Sequence, residues 1–123
     1  MALEGFEELP FNHDGARRSV YRRGSGPGIV VIHEIPGITP EVARFARWVA
    51  DDGFTVFVPH LFGTPGRPFS GAYVASQMAR ACVSREFSVL ARGASSPITD
   101  WLRALCRHAH GACGGPGVGA IGM

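Results

Sequence analysis

Two side chains capable of acid–base chemistry, His33 and Glu34, directly follow a run of β-branched apolar residues from Ile29 to Ile32. Such a run is typical of a strand that is buried on both faces in a parallel sheet. Pro36 and Gly37 then turn the chain. Because ligands of open α/β sheets bind at the carboxyl ends of the strands, Glu34 is a candidate functional carboxylate. A salt bridge or a turn cap would account for a carboxylate at this position equally well.

Two short extended segments precede this strand, and we expect them to pair as an antiparallel hairpin. They run from Phe6 to Phe11 and from Ser19 to Arg22, with turn residues at His13 to Gly15. A glycine-rich stretch from Gly24 to Gly28 then leads into the strand. Because a phosphate-binding loop follows its strand and opens a helix, we interpret this stretch as a connector.

A helix and a second strand are predicted after the first buried strand. Thr39 is a suitable N-cap, and Pro40 suits the first helical position. The apolar face repeats at helical spacing in Val42, Phe45, Ala46 and Val49. Gly53 is expected to end the helix, and Phe54 to Val58 is predicted to be a strand. Together these elements predict a βαβ unit with a right-handed crossover.

The second half of the chain predicts a loop, two helical segments and a last strand. His60 to Gly71 has the composition of a loop, and Tyr73 to Phe87 has helical composition without clear periodicity. Ser96-Pro97 opens a helix that Gly111 is expected to close, and Val118 to Met123 is predicted to begin a buried strand. The apolar stripe of that helix consists of Ile98, Trp101, Leu102, Leu105, Cys106 and Ala109. This order predicts an α/β fold whose sheet is mostly parallel, with antiparallel first strands.

The last predicted strand is apolar on both faces, and no further element follows it in the 123 residues. A central-type strand at that position would have a bare edge and an uncovered face. We therefore expect residues 1–123 to be the amino-terminal part of a single larger domain.

Composition argues against several classes of function. The chain is 46% hydrophobic and 18% charged with a net charge of +2, which is typical of a globular protein and too mild for nucleic-acid binding. It has no apolar run near the ~18 residues of a membrane span, and its acidic start is not a signal peptide. Its three cysteines lack paired spacing, which favours reduced thiols in a cytoplasmic protein. No motif indicates a cofactor or metal, and none indicates an oligomeric state.

In order and residue type, several segments resemble the dienelactone hydrolase family of α/β-hydrolases. The matching segments are Val30 to Ile38, Trp48 to Phe54, Val58 to Phe62, Asp100 to Leu105 and Val118 to Met123. The first of them contains the Glu-Ile-x-Gly signature of the family. The resemblance implies the α/β-hydrolase fold and a cysteine nucleophile in a G-x-C-x-G elbow after the fifth strand. Gly122 and Met123 match the first two elbow positions, so the cysteine is expected just after Met123.

The resemblance also implies roles for individual residues. Glu34 matches the glutamate that lies beside the nucleophile and assists its activation, and the backbone N–H of Ile35 would be one oxyanion-hole donor. Since a carboxylate raises the pKa of a neighbouring thiol, we interpret Glu34 as a proton acceptor. Family members that act on dienelactone bind its carboxylate through arginines. Arg85 is the preferred counterpart here, Arg80 is the second choice, and solvated helix arginines are the alternative for both.

The function implied by the resemblance is hydrolysis of ester or lactone bonds in a small-molecule substrate. One alternative is a non-catalytic α/β-hydrolase relative that binds a ligand. Another is a nucleotide-binding module, because Gly117 to Gly122 spells G-x-G-x-x-G. That match lies on a predicted strand, whereas the fingerprint requires a turn into a helix. Cysteine or serine after Met123 would favour the enzyme.

Overall fold

The computed structural model of the protein describes residues 3–33, 37–68, 70–82 and 97–122. The strands in these ranges are β1 (Glu7–His13), β2 (Ala16–Gly24), β3 (Gly28–Ile32), β4 (Thr55–Pro59) and β5 (Gly119–Gly122). The helices are α1 (Pro40–Asp51), α2 (Gly71–Cys82) and α3 (Pro97–Cys113). No helix in these ranges is long and apolar enough to cross a membrane.

The strands form one mixed sheet in the order β1-β2-β4-β3-β5. β1 pairs antiparallel with β2, and β2 pairs antiparallel with β4. β3 pairs parallel with β4 on one side and with β5 on the other. Asp14 and Gly15 form the two-residue turn of the first hairpin with φ of 52° and 80°, as a type I′ turn requires. The predicted antiparallel start and parallel continuation are thus confirmed.

Helices cover both faces of the sheet, and each face has its own hydrophobic core. Consecutive residues of β3 belong to different cores, since Val31 packs in the core under α1 and Val30 in the core under α3. The same alternation in β4 sends Phe57 towards α3. The indole Nε1 of Trp101 donates to the carbonyl oxygen of Ala16 at 3.0 Å and joins α3 to the first hairpin. The predicted apolar stripe of α3 is confirmed, and both central strands are buried on two sides.

Two details of the second half differ from the sequence-based expectation. α3 does not end at Gly111 but continues to Cys113, and Gly114 follows with φ of 67°. A helical glycine costs only about 1 kcal/mol relative to alanine, which the packing of α3 overrides. β5 has the composition of a buried strand, but Ile121 is half-buried and the other three residues are exposed. β5 has a described neighbour only on the β3 side, which leaves the bare edge expected for a strand at this position.

Candidate active site

The carboxyl end of β3 carries a buried histidine that contacts the loop after β4. The side chain of His33 is 3% exposed, and its Nε2 accepts the backbone N–H of Leu61 at 3.0 Å. An imidazole nitrogen that accepts a hydrogen bond carries no proton, so this geometry assigns a neutral ring with its proton on Nδ1. The ring of Phe62 meets the imidazole edge-on, with 6.2 Å between the centroids.

The N-terminus of α1 lies at the same edge of the sheet. The side-chain oxygen of Thr39 accepts the backbone N–H of Val42 at 3.4 Å, which confirms the predicted N-cap, and Pro40 begins the helix. Gly37 precedes the cap with φ of 148°. A Cβ atom on Gly37 would lie 2.6 Å from the carbonyl oxygen of Phe62, so only glycine allows this approach of the two backbones.

The loop between β4 and α2, residues 60–70, is attached to this edge by several hydrogen bonds. The N–H of Gly66 donates to the carbonyl oxygen of Ile38 at 2.6 Å. The N–H of His60 donates to the carbonyl oxygen of Ser19 at 2.9 Å. The hydroxyl of buried Tyr73 accepts the N–H of Thr64 at 2.6 Å. These bonds give the β4–α2 loop fixed attachments to β2, to the start of α1 and to α2.

The residues selected from the sequence are not tested by this geometry. Glu34, Ile35 and Arg85 lie outside the described residues. His33 and Gly37 are the described residues on either side of the segment that contains Glu34 and Ile35, and both lie at the carboxyl edge of the sheet. Arg80, the second choice for a carboxylate-binding arginine, is an exposed residue in the last turn of α2.

β5 ends at the same edge as β3. The two strands are parallel, and their register places Gly122 opposite Ile32, the residue before His33. Chain that follows either strand therefore leaves the sheet at one common edge. α1 begins there as well, so three backbone termini of regular elements meet at this place. That is the arrangement in which α/β folds build their ligand sites.

The cysteines with described side chains lie elsewhere. Cys106 and Cys113 are free and half-buried on α3. Burial raises the pKa of the Cys106 thiol, and the charge of Arg107 offsets this only in part. A raised pKa leaves less thiolate, so Cys106 is a poor nucleophile. Cys113 is in the last turn of α3 and leads into the amino end of β5, opposite the candidate edge.

No metal site competes with this edge in the described ranges. No group of three His, Cys, Asp or Glu side chains is arranged there to hold a metal ion. An apolar groove lies on the α1 side between Trp48, Phe54 and Ile121. It follows the end of α1 and the start of β4, away from the carboxyl edge.

The contact between His33 and Leu61 was missed by sequence reasoning. The pattern marks His33 only as a titratable residue after a buried strand, and its partner lies 28 residues further along the chain. Tyr73 was also missed as an attachment point, because it falls in a segment without clear periodicity. The close approach of the Gly37 and Phe62 backbones had one signal in the sequence, which is the glycine at position 37 between Pro36 and the N-cap Thr39.

The strand order, the crossovers and the position of the helices define the α/β-hydrolase fold. The sequence model of the dienelactone hydrolase family matches residues 18–115, which is most of the chain. The protein therefore belongs to the dienelactone hydrolase family. A comparison with curated protein sequences gave no match.

The chain is similar to parts of several solved structures. A structure called m3DLH is 20% identical, with a TM-score of 0.57 over 96% of this chain and 48% of that one. A Vigna radiata epoxide hydrolase mutant is 19% identical over 63% of this chain and 26% of its own, with a TM-score of 0.45. A thioesterase domain from the curacin biosynthetic pathway is 24% identical over 62% of this chain and 32% of its own, with a TM-score of 0.42. The chain thus spans about half the length of m3DLH and a quarter to a third of the other two.

Proposed function

We propose that the protein hydrolyses carboxylic ester or lactone bonds through a cysteine nucleophile that follows Met123. The observation that carries this proposal is the meeting of β3, β5 and the start of α1 at one edge of the sheet. A nucleophile after β5 would there be close to groups that follow β3. Membership in the dienelactone hydrolase family supports the same chemistry. Residues 1–123 would then be the amino-terminal part of a single α/β-hydrolase domain.

In the proposed mechanism Glu34 accepts the proton of the thiol, and the thiolate attacks the carbonyl carbon of the substrate. The negative charge moves to the carbonyl oxygen, where the N–H of Ile35 donates a hydrogen bond. The bond to the leaving oxygen then breaks, this oxygen takes up the proton that Glu34 accepted, and an acyl thioester remains. Water attacks that thioester and releases the acid and the thiol. One fixed oxyanion donor of this kind stabilises the transition state by about 3 kcal/mol.

Arg85 is proposed to bind a carboxylate on the substrate. The reason is its position in the sequence between β4 and α3, where the family supplies such an arginine. This role would favour small acidic lactones over neutral esters. The reaction needs no cofactor, and the proposed location is the cytoplasm.

Hydrolysis of p-nitrophenyl acetate and of an unsaturated γ-lactone carboxylate by the intact protein tests the proposal. We expect turnover that iodoacetamide abolishes, and an acyl-enzyme mass on the tryptic peptide that begins at His108 and contains β5. Peptide sequencing should show cysteine after Met123. A folded protein with no turnover of either substrate would refute the hydrolase and favour the ligand-binding alternative. An intact mass of 13.1 kDa, the mass of residues 1–123, would refute the nucleophile after Met123.

A further inference from the structure

His33 joins the carboxyl ends of two neighbouring strands at a point beyond their backbone pairing. The parallel register between β3 and β4 ends at Val30 opposite Phe57. Three residues after Val30, the imidazole Nε2 of His33 accepts the backbone N–H of Leu61 at 3.0 Å. The side chain thus supplies a cross-strand hydrogen bond at a position where the two backbones no longer supply one.

This hydrogen bond is buried, so water does not replace it readily. His33 is 3% exposed and Leu61 is 9% exposed. The half-buried ring of Phe62 packs against the imidazole. A backbone N–H in such surroundings is unfavourable without an acceptor, and the loop would have to move to find another one.

The same loop is attached on the far side of the candidate edge. The backbone of Phe62 packs directly on Gly37, and the N–H of Gly66 donates to the carbonyl oxygen of Ile38. The β4–α2 loop therefore contacts the chain at the end of β3 through His33 and the chain at the start of α1 through Gly37 and Ile38. Of these contacts, only the one at His33 depends on a side chain that a substitution can remove while leaving the backbone unchanged.

We propose that His33 is a positioning residue, which holds the β4–α2 loop against the carboxyl edge where hydrolysis is proposed to occur. This inference rests on the proposed function. In this role His33 acts as a hydrogen-bond acceptor for Leu61. A displacement of about 1 Å at a reacting centre costs on the order of 100-fold in rate. The proposed oxyanion donor, the N–H of Ile35, follows His33 by two residues, and its contact with the substrate forms only in the transition state. Loss of the His33 acceptor is therefore expected to lower kcat and leave KM unchanged.

Two substitutions of similar polarity separate positioning from general packing. The Oε1 of glutamine in His33→Gln reaches about as far as Nε2 and accepts the Leu61 N–H. The Oδ1 of asparagine in His33→Asn reaches only as far as Nδ1 and leaves that N–H without its acceptor. In the intact protein we expect His33→Gln to keep a kcat close to that of the wild type. We expect His33→Asn to lose roughly 10- to 100-fold in kcat for p-nitrophenyl acetate at constant KM.

Hydrogen exchange at the Leu61 amide provides a second measurement that does not depend on activity. The amide should exchange slowly in the wild type and in His33→Gln, and faster in His33→Asn. The proposal would be overturned if folded His33→Gln and His33→Asn had equal kcat values. It would also be overturned if the Leu61 amide of His33→Asn exchanged as slowly as that of the wild type. If His33→Asn does not fold, a folded His33→Gln variant with a 10-fold lower kcat would also overturn it. A wild type without turnover would instead reject the proposed function.

Discussion

Replacing Gly37 with alanine tests the contact between the start of α1 and the β4–α2 loop. The backbone φ of 148° lies in a region that side chains with a Cβ rarely adopt, which costs about 1–3 kcal/mol. The new Cβ would also lie 2.6 Å from the carbonyl oxygen of Phe62 and 3.3 Å from the hydroxyl of Tyr73. Overpacking of this kind costs about 1–3 kcal/mol. The sum predicts that Gly37→Ala lowers the free energy of unfolding by about 2–6 kcal/mol.

Two other glycines separate the two contributions. Gly53 has φ of 96° but no atom within 4 Å of its added Cβ, so Gly53→Ala should show the backbone cost alone. Gly111 is helical and has open space around it, so Gly111→Ala should stabilise the protein by about 0.5–1 kcal/mol. Urea unfolding of the three variants measures these differences. If Gly37→Ala is no less stable than Gly53→Ala, the backbones of residues 37 and 62 are not in the described contact.

Three further predictions concern individual side chains. Glu34→Gln should leave the unfolding midpoint unchanged and lower kcat for ester substrates, since the amide cannot accept the thiol proton; unchanged turnover would remove Glu34 from the mechanism. Arg85→Ala should raise KM for carboxylate-bearing lactones by about 10-fold or more and spare neutral esters; equal losses on both kinds of substrate would reject its carboxylate-binding role and make Arg80 the next candidate. Burial raises the pKa of Cys106, so the stability linked to its proton is present below the ordinary thiol pKa and is lost as pH rises through the folded-state pKa. The urea midpoint of Cys106→Ala should therefore fall less between pH 7 and about pH 10 than that of the wild type, and an equal fall would contradict a raised pKa of Cys106.

Elements with local signals were predicted correctly. α1 has its N-cap at Thr39, a proline at its first position and a positive-φ glycine after its end, and each signal lies within the segment it describes. β3 and β4 were predicted because burial on both faces selects β-branched residues along the whole strand. The turn at Asp14-Gly15 follows from the two residue types that tolerate positive φ.

Features that depend on distant contacts were not predicted. The extension of α3 beyond Gly111 depends on packing against the sheet, which overrides a small local penalty. The hydrogen bond from Leu61 to His33 joins two segments that carry no mutual signal in the sequence. The Glu-Ile-x-Gly signature predicts a candidate site at the carboxyl end of β3 but carries no signal for the β4–α2 loop, which contacts that edge.

The hydrogen bond between Trp101 and Ala16 also bears on how the chain folds. It joins residues 85 positions apart, and closing a loop of that length costs about 4 kcal/mol in chain entropy. α3 should therefore dock on the first hairpin late, after the local unit of β3, α1 and β4 has formed. The two tryptophans lie in opposite environments, because Trp101 is 1% exposed and Trp48 is 64% exposed. The fluorescence of the protein thus contains one indole, Trp101, that should respond to this docking step, and a second, Trp48, that lies outside both described cores.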